Sequence, residues 1–104
     1  MIPKSENMIH NKDHHVYFMT NKNRTVLYIG MTSSLKERVR KHHCGEFWGF
    51  SKRYNCQYLI YFEKFEYVGD AIKREKQLKG WRREKKLALI RTQNPDLTFL
   101  NNTL

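Results

Sequence analysis

The sequence predicts an α/β (α+β) domain in which a small, mainly antiparallel three-stranded sheet is flanked by helices in the order β-β-α-β-α-α. Three observations carry this. Two short runs rich in β-branched and aromatic residues, "HVYFMT" and "TVLYIGM", are separated by the turn cluster "NKNR". A third run of the same kind, "CQYLIYFEKF", follows a segment broken by two glycines. After it come two stretches with apolar residues at helical spacing, one ending at Gly80 and the other at Asn94 and Pro95.

The elements follow in chain order. Residues 1–13 are polar and aperiodic and read as a flexible leader. His15 to Thr20 and Thr25 to Met31 form a β-hairpin, because Val, Tyr, Phe, Ile and Thr suit a half-buried pleated surface. Thr32 or Ser33 then caps a helix from Ser34 to His43, its oxygen accepting from the orphan amides of the first turn. "CGEFWGFSKRYN" holds no element pattern, and the third strand runs from Cys56 to Phe65. The next helix starts between Tyr67 and Asp70 and reaches Lys79, with Gly80 as its C-terminal cap. The last helix is "WRREKKLALIRTQ", stopped at Asn94 because a following proline disfavours helical geometry. The domain thus spans 14–96, and residues 97–104 form a C-terminal tail that packs back on the core.

With 104 residues the chain is one domain with one core. Twenty Lys and Arg against ten Asp and Glu give a net charge of +10, which attracts polyanions such as nucleic acid. No apolar run approaches the roughly 18 residues of a membrane span, and the start lacks the apolar core of a signal peptide. The sequence therefore predicts a cytoplasmic protein with no membrane partner. In that compartment Cys44 and Cys56 read as free thiols. "HHC" with Cys56 offers zinc-ligand types without zinc-ligand spacing.

The charges on the helices are in unexpected places. Leu35, Arg38, Val39 and His42 follow i, i+3, i+4, i+7 and share one face. An unpaired arginine is very costly in hydrocarbon, so Arg38 must look out at an anion or meet a carboxylate. The next helix shows the opposite sign, with Glu75 in the middle of the Ala71, Ile72, Leu78, Lys79 stripe. Two readings fit: a buried structural ion pair between Arg38 and Glu75, or a site for phosphate and a metal ion. Tyr17 and Tyr28, on neighbouring arms of the hairpin just before Arg38, favour the site because they bring further groups to the same edge.

These residues resemble the GIY-YIG nuclease superfamily, in particular its small stand-alone bacterial single-domain members. "VYF" with Tyr17 takes the place of the first triplet, "YIG" from Tyr28 to Gly30 is the second, and Arg38 stands ten residues after Tyr28. "REKQLKGWRREKKLALI" looks like the stretch that carries the family glutamate, here Glu75. His15 and Met31 depart from the glycine and lysine that many members have there. The resemblance implies a metal-dependent endonuclease that hydrolyses DNA phosphodiester bonds with low sequence specificity, selecting by the structure of the DNA, with Glu75 as ligand to one Mg²⁺ that Mn²⁺ can replace. It implies that Arg38 neutralises the scissile phosphate and that Tyr17 or Tyr28 positions or deprotonates the attacking water. His42, one turn beyond Arg38, competes with Tyr17 for the role of base. A role in DNA repair or processing is an expectation of the same likeness. The rival is a non-catalytic nucleic-acid-binding module of the same fold.

Between Lys73 and Arg91 nine basic residues face two acidic ones. Lys73, Lys76, Lys79, Arg82, Arg83, Lys85 and Lys86, with Gly30 at the strand edge, are the expected nucleic-acid contacts. DNA is the expected partner, with RNA as the alternative, for a monomer or a dimer. Trp48, Phe50 and Trp81 offer stacking surfaces for bases, though Trp81 fits better as an anchor between two helices.

Overall fold

The structure is a computed structural model that describes residues 13–46 and 49–104. The expected leader lies outside the described residues except for Asp13, whose carboxylate pairs with Lys64 at 3.5 Å. The elements are β1 (His14–Thr20), β2 (Leu27–Thr32), α1 (Leu35–His43), α2 (Phe50–Arg53), β3 (Tyr58–Phe65), α3 (Val68–Lys79), α4 (Arg83–Arg91) and a 3-10 turn, Asn101–Thr103. The sheet order is β2-β1-β3 with both pairs antiparallel. The expected fold class and order are present, with one helix added.

That addition, α2, falls in the segment read as patternless. It is a single turn, too short to show a helical period, and Gly49 at φ 88° and Asn55 at φ 56° punctuate its ends. The turn at Asn55 also explains why β3 begins at Tyr58, two residues later than the sequence predicts. In the hairpin, Asn21 Oδ1 accepts from the amides of Thr25 at 2.8 Å and Val26 at 3.1 Å. With those amides engaged, β2 starts at Leu27 rather than Thr25. Helix α1 begins at Leu35 with Ser34 as its N-cap, and no side chain caps it. The Thr32 hydroxyl, expected to serve the first turn, instead accepts from the Ser34 amide at 3.0 Å. Helix α4 covers Arg83–Arg91 and leaves Trp81 before it, half-buried against the core.

The sheet has a core on each face, because β1 is apolar on both. Val16 and Phe18 point to the face covered by Ala71 and Leu78 of α3 and Ile90 of α4. Tyr17 and Met19 point to the other face, with Leu35 and Val39 of α1 and Leu59 of β3. A fully buried side chain of Phe or Leu size contributes about 1.5–3 kcal/mol by leaving water. The continuous burial of Val16 to Thr20 makes β1 the centre of the fold.

The tail packs back as expected and covers the β3 edge. The Leu100 amide donates to the Leu59 carbonyl at 2.7 Å, and Asn101 Oδ1 accepts from the Leu59 amide at 2.8 Å. Asn94, expected only to stop a helix, is buried and ties the tail down. Its Nδ2 donates to the carbonyls of Ile60 at 2.8 Å and Thr98 at 2.9 Å, and its Oδ1 accepts from the Thr98 amide at 3.0 Å. An otherwise open strand edge is thereby closed.

Candidate active site

The hairpin register places Tyr17 opposite Gly30 and Met19 opposite Tyr28. The Tyr17 ring lies flat over Gly30: a Cβ there would overlap the Tyr17 hydroxyl and Cζ. Gly30 is therefore buried beneath Tyr17, which corrects its expected place at the nucleic-acid surface. A glycine is required because the ring occupies the space of its side chain.

Helix α1 presents the stripe that its spacing predicts. Leu35, Val39 and His42 are buried and Arg38 is half-buried. His42 Nε2 is 2.9 Å from the Tyr17 hydroxyl, and His42 Nδ1 is 2.6 Å from Ser51 Oγ, which in turn reaches the Cys56 carbonyl at 3.4 Å. One proton arrangement satisfies every group. Ser51 donates to the Cys56 carbonyl, His42 Nδ1–H donates to Ser51, and Tyr17 donates to Nε2. The Tyr28 ring completes the cluster, its centroid 5.1 Å from that of His42 and 6.4 Å from that of Tyr17. His15, the departure in the first triplet, packs edge-on against Phe62 at 5.8 Å.

Burial dominates the electrostatics. It raises the Tyr17 pKa well above the usual phenol value, reinforced by Tyr28 and Glu75 and opposed by the charge and hydrogen bond of Arg38. Burial, followed by the Arg38 charge, lowers His42 to about 4. At neutral pH the pair is thus a neutral phenol donating to a neutral imidazole. Arg38 acts on both members.

Glu75 comes from the other side of the sheet. Helix α3 buries Ala71 and Leu78 in the opposite core, yet Glu75 is near enough to act on the Tyr17 hydroxyl. The Glu75 side chain is 21% exposed and its Oε2 pairs with Lys79 Nζ at 3.2 Å. Glu75 and Arg38 are both half-buried.

A magnesium ion fits this donor set. Mg²⁺ takes one or two carboxylates and fills the remaining positions with water and phosphate oxygens. Lys79, 55% exposed, can swing away from the carboxylate. Among the described residues no three His, Cys, Asp or Glu side chains come together. His42 is committed to Tyr17 and Ser51, and Cys44 and Cys56 are free thiols on the surface and in the core respectively.

The basic band is divided by the fold. Lys73, Lys76, Lys79, Arg82, Arg83 and Lys85 are exposed and Lys86 is half-buried. Arg83 donates to the Arg24 carbonyl at 3.1 Å, and Lys85 sits 4.3 Å above the Trp81 ring. Arg74 instead forms a bidentate pair with Glu63 at 2.8 and 2.9 Å. Trp81 is an anchor, wedged between Arg74, Lys85 and the core. Trp48 lies outside the described residues.

Sequence reasoning missed Ser51. A lone serine among "FSKR" carries no signal until the chain fold brings it to His42.

Fold and site together define a class: a small α+β domain of the nuclease type. The family model described as GIY-YIG catalytic domain matches residues 13–88, and the chain belongs to that family. Two similar relatives are a UPF0213 protein of Staphylococcus aureus strain Mu3 and UPF0213 protein SAV0488 of strain Mu50. Each is 33% identical over 79 residues, covering 76% of this chain and 96% of the relative. The solution NMR structure of UPF0213 protein BH0048 from Bacillus halodurans has the same fold at a TM-score of 0.54 and 24% identity, covering 88% of this chain and 93% of that one. No helix among the described residues is long and apolar enough to cross a membrane.

Proposed function

We propose that the chain is a metal-dependent endonuclease that hydrolyses DNA phosphodiester bonds with low sequence specificity, in DNA repair or processing. The observation that carries this is the 2.9 Å hydrogen bond from Tyr17 to His42, with Arg38 acting on both. Tyr17 and His42, competitors for the role of base in the sequence, form one relay. The attacking water gives its proton to the Tyr17 oxygen as the Tyr17 proton passes to His42 Nε2, leaving an imidazolium held by Ser51 at Nδ1. The water oxygen bonds to phosphorus, one P–O ester bond breaks, and the leaving oxygen takes a proton from solvent.

A resting imidazole at about 4 is a weak base, and its second cause is the Arg38 charge. A phosphate bound at Arg38 offsets that charge and raises the basicity of His42 only when substrate is present. Arg38 also stabilises the charge that develops on phosphate. Glu75 would hold Mg²⁺ or Mn²⁺ with waters, and the ion, when bound, supplies further charge to the phosphate. Tyr28 packs against the His42 ring, with centroids 5.1 Å apart, beside the relay.

One observation favours the rival, a non-catalytic nucleic-acid-binding module: Glu75 is already paired with Lys79. A single experiment separates the two. Purified protein is given labelled duplex, flap, fork and single-stranded DNA with Mg²⁺, Mn²⁺ or EDTA, beside Glu75→Ala. Cutting that needs metal and falls at least a hundredfold in Glu75→Ala supports the nuclease. Binding without cutting across the panel supports the module.

A further inference from the structure

The catalytic cluster continues outward as an aromatic run. Tyr28, beside His42, lies nearly parallel to Phe50, with centroids 6.3 Å apart and planes inclined by 25°. Phe50 adjoins Tyr54 at 4.7 Å, and the Arg53 guanidinium lies 5.7 Å from the Tyr54 ring. Phe50 and Tyr54 are 50% and 42% exposed, although rings of this size usually dominate a core. Helix α2 buries only Ser51, which fixes it to His42, and turns both rings outward over an open hollow lined also by Lys52 and Arg53. The exposed rings are thus held in register with the catalytic histidine, amid positive charge.

We propose that Phe50 and Tyr54 form a stacking site for an unpaired nucleobase adjoining the phosphate bound at Arg38. Lys52 and Arg53 meet the flanking phosphates. This rests on the nuclease reading and names the substrate feature that it selects. Every base has a π-face, so such a site is indifferent to sequence. A base inside a duplex is already stacked and paired, and gains nothing here unless it is flipped out. The site therefore favours strands with an unpaired nucleotide next to the cut: single strands, flaps and bulges. The charge on α2 decides for a polyanion over an apolar protein partner, since Lys52 and Arg53 flank the rings with no carboxylate in the helix.

The test uses the full chain in EDTA, so that binding is read without cleavage. Two probes of equal length carry one fluorescent aminopurine base, one single-stranded and the other blunt duplex, at one fixed low salt concentration. Wild type should quench the single-stranded probe. Phe50→Ala and Tyr54→Ala should each weaken single-strand binding about 5- to 100-fold and duplex binding less than about 2-fold. Phe50→Tyr should keep the quenching, whereas Phe50→Leu, which retains the apolar volume and the fold, should lose it.

Equal loss on both probes, or no loss on either, overturns the stacking site while leaving the nuclease reading intact. Self-association of the wild type that Phe50→Leu abolishes, with single-strand binding unchanged, overturns it in favour of a second copy. Failure of the wild type to bind either probe overturns the nuclease reading and the stacking site together.

Discussion

Gly30→Ala is a single-methyl test of the site. The added Cβ would overlap the Tyr17 hydroxyl and Cζ and stand 2.9 Å from Cε1, so the ring has to retreat by about 1 Å to reach ordinary contact. Tyr17 is fully buried and packed against Leu35, Val39 and His42, which leaves the retreat no free space. Overpacking of this kind costs about 1–3 kcal/mol. The same movement displaces the hydroxyl that makes the 2.9 Å bond to His42, and losing that bond strands a buried acceptor, for about 1–3 kcal/mol more. The sum is roughly 2–6 kcal/mol, or a fall in Tm of at least about 10 °C for a domain of this size. Thermal melting and urea titration measure it, and cleavage below the melting range should fall with it. A Gly30→Ala protein within about 0.5 kcal/mol of wild type, cutting at the wild-type rate, would refute the reasoning that the glycine exists to seat Tyr17.

Three further outcomes are expected. Burial and the Arg38 charge lower the pKa of His42 in the fold to about 4 from the ordinary 6.5, so its stabilising contribution is complete above pH 6.5 and is lost as the pH falls towards 4. Urea titrations of wild type and His42→Gln should converge over that window, closing a gap of about 3 kcal/mol; parallel curves would contradict it. Ser51→Ala leaves the buried Nδ1–H without its partner, so kcat should fall about tenfold, for a cost of about 1–3 kcal/mol, and the acid limb of the pH–rate profile should move. Ser51→Thr should restore both. If five phosphates are neutralised by the basic band, log Kd for duplex DNA should change with log salt by about 4.5 in magnitude, and a flat line would remove the band from the interface.

The helical stripe of α1 was legible because a period of 3.6 residues is local: Leu35, Arg38, Val39 and His42 declare a shared face without any knowledge of the partner. Tyr17 and Tyr28 were singled out by their place on neighbouring hairpin arms and by the resemblance to GIY-YIG nucleases, and Glu75 by its place amid apolar residues. Gly30 was named for the wrong reason. Its need arises from the cross-strand register that lays Tyr17 upon it, and register is not visible along one strand. The basic band was read as one surface, but Arg74 turned to Glu63 and Lys79 to Glu75 once α3 had docked.

The sequence by itself determined the order β-β-α-β-α-α apart from the short α2, the sign of the charge and the candidates Tyr17, Tyr28, Arg38, His42 and Glu75, because each depends on composition or on neighbours within a few positions. Only the tertiary structure decided that α1 and α3 lie on opposite faces of the sheet and that Glu75 of α3 still acts on Tyr17. It alone brought Ser51 to His42 and Asn94 to β3, across 9 and 34 residues. Those contacts depend on which faces bury the most apolar surface together, a property of the whole packed chain that no local pattern contains.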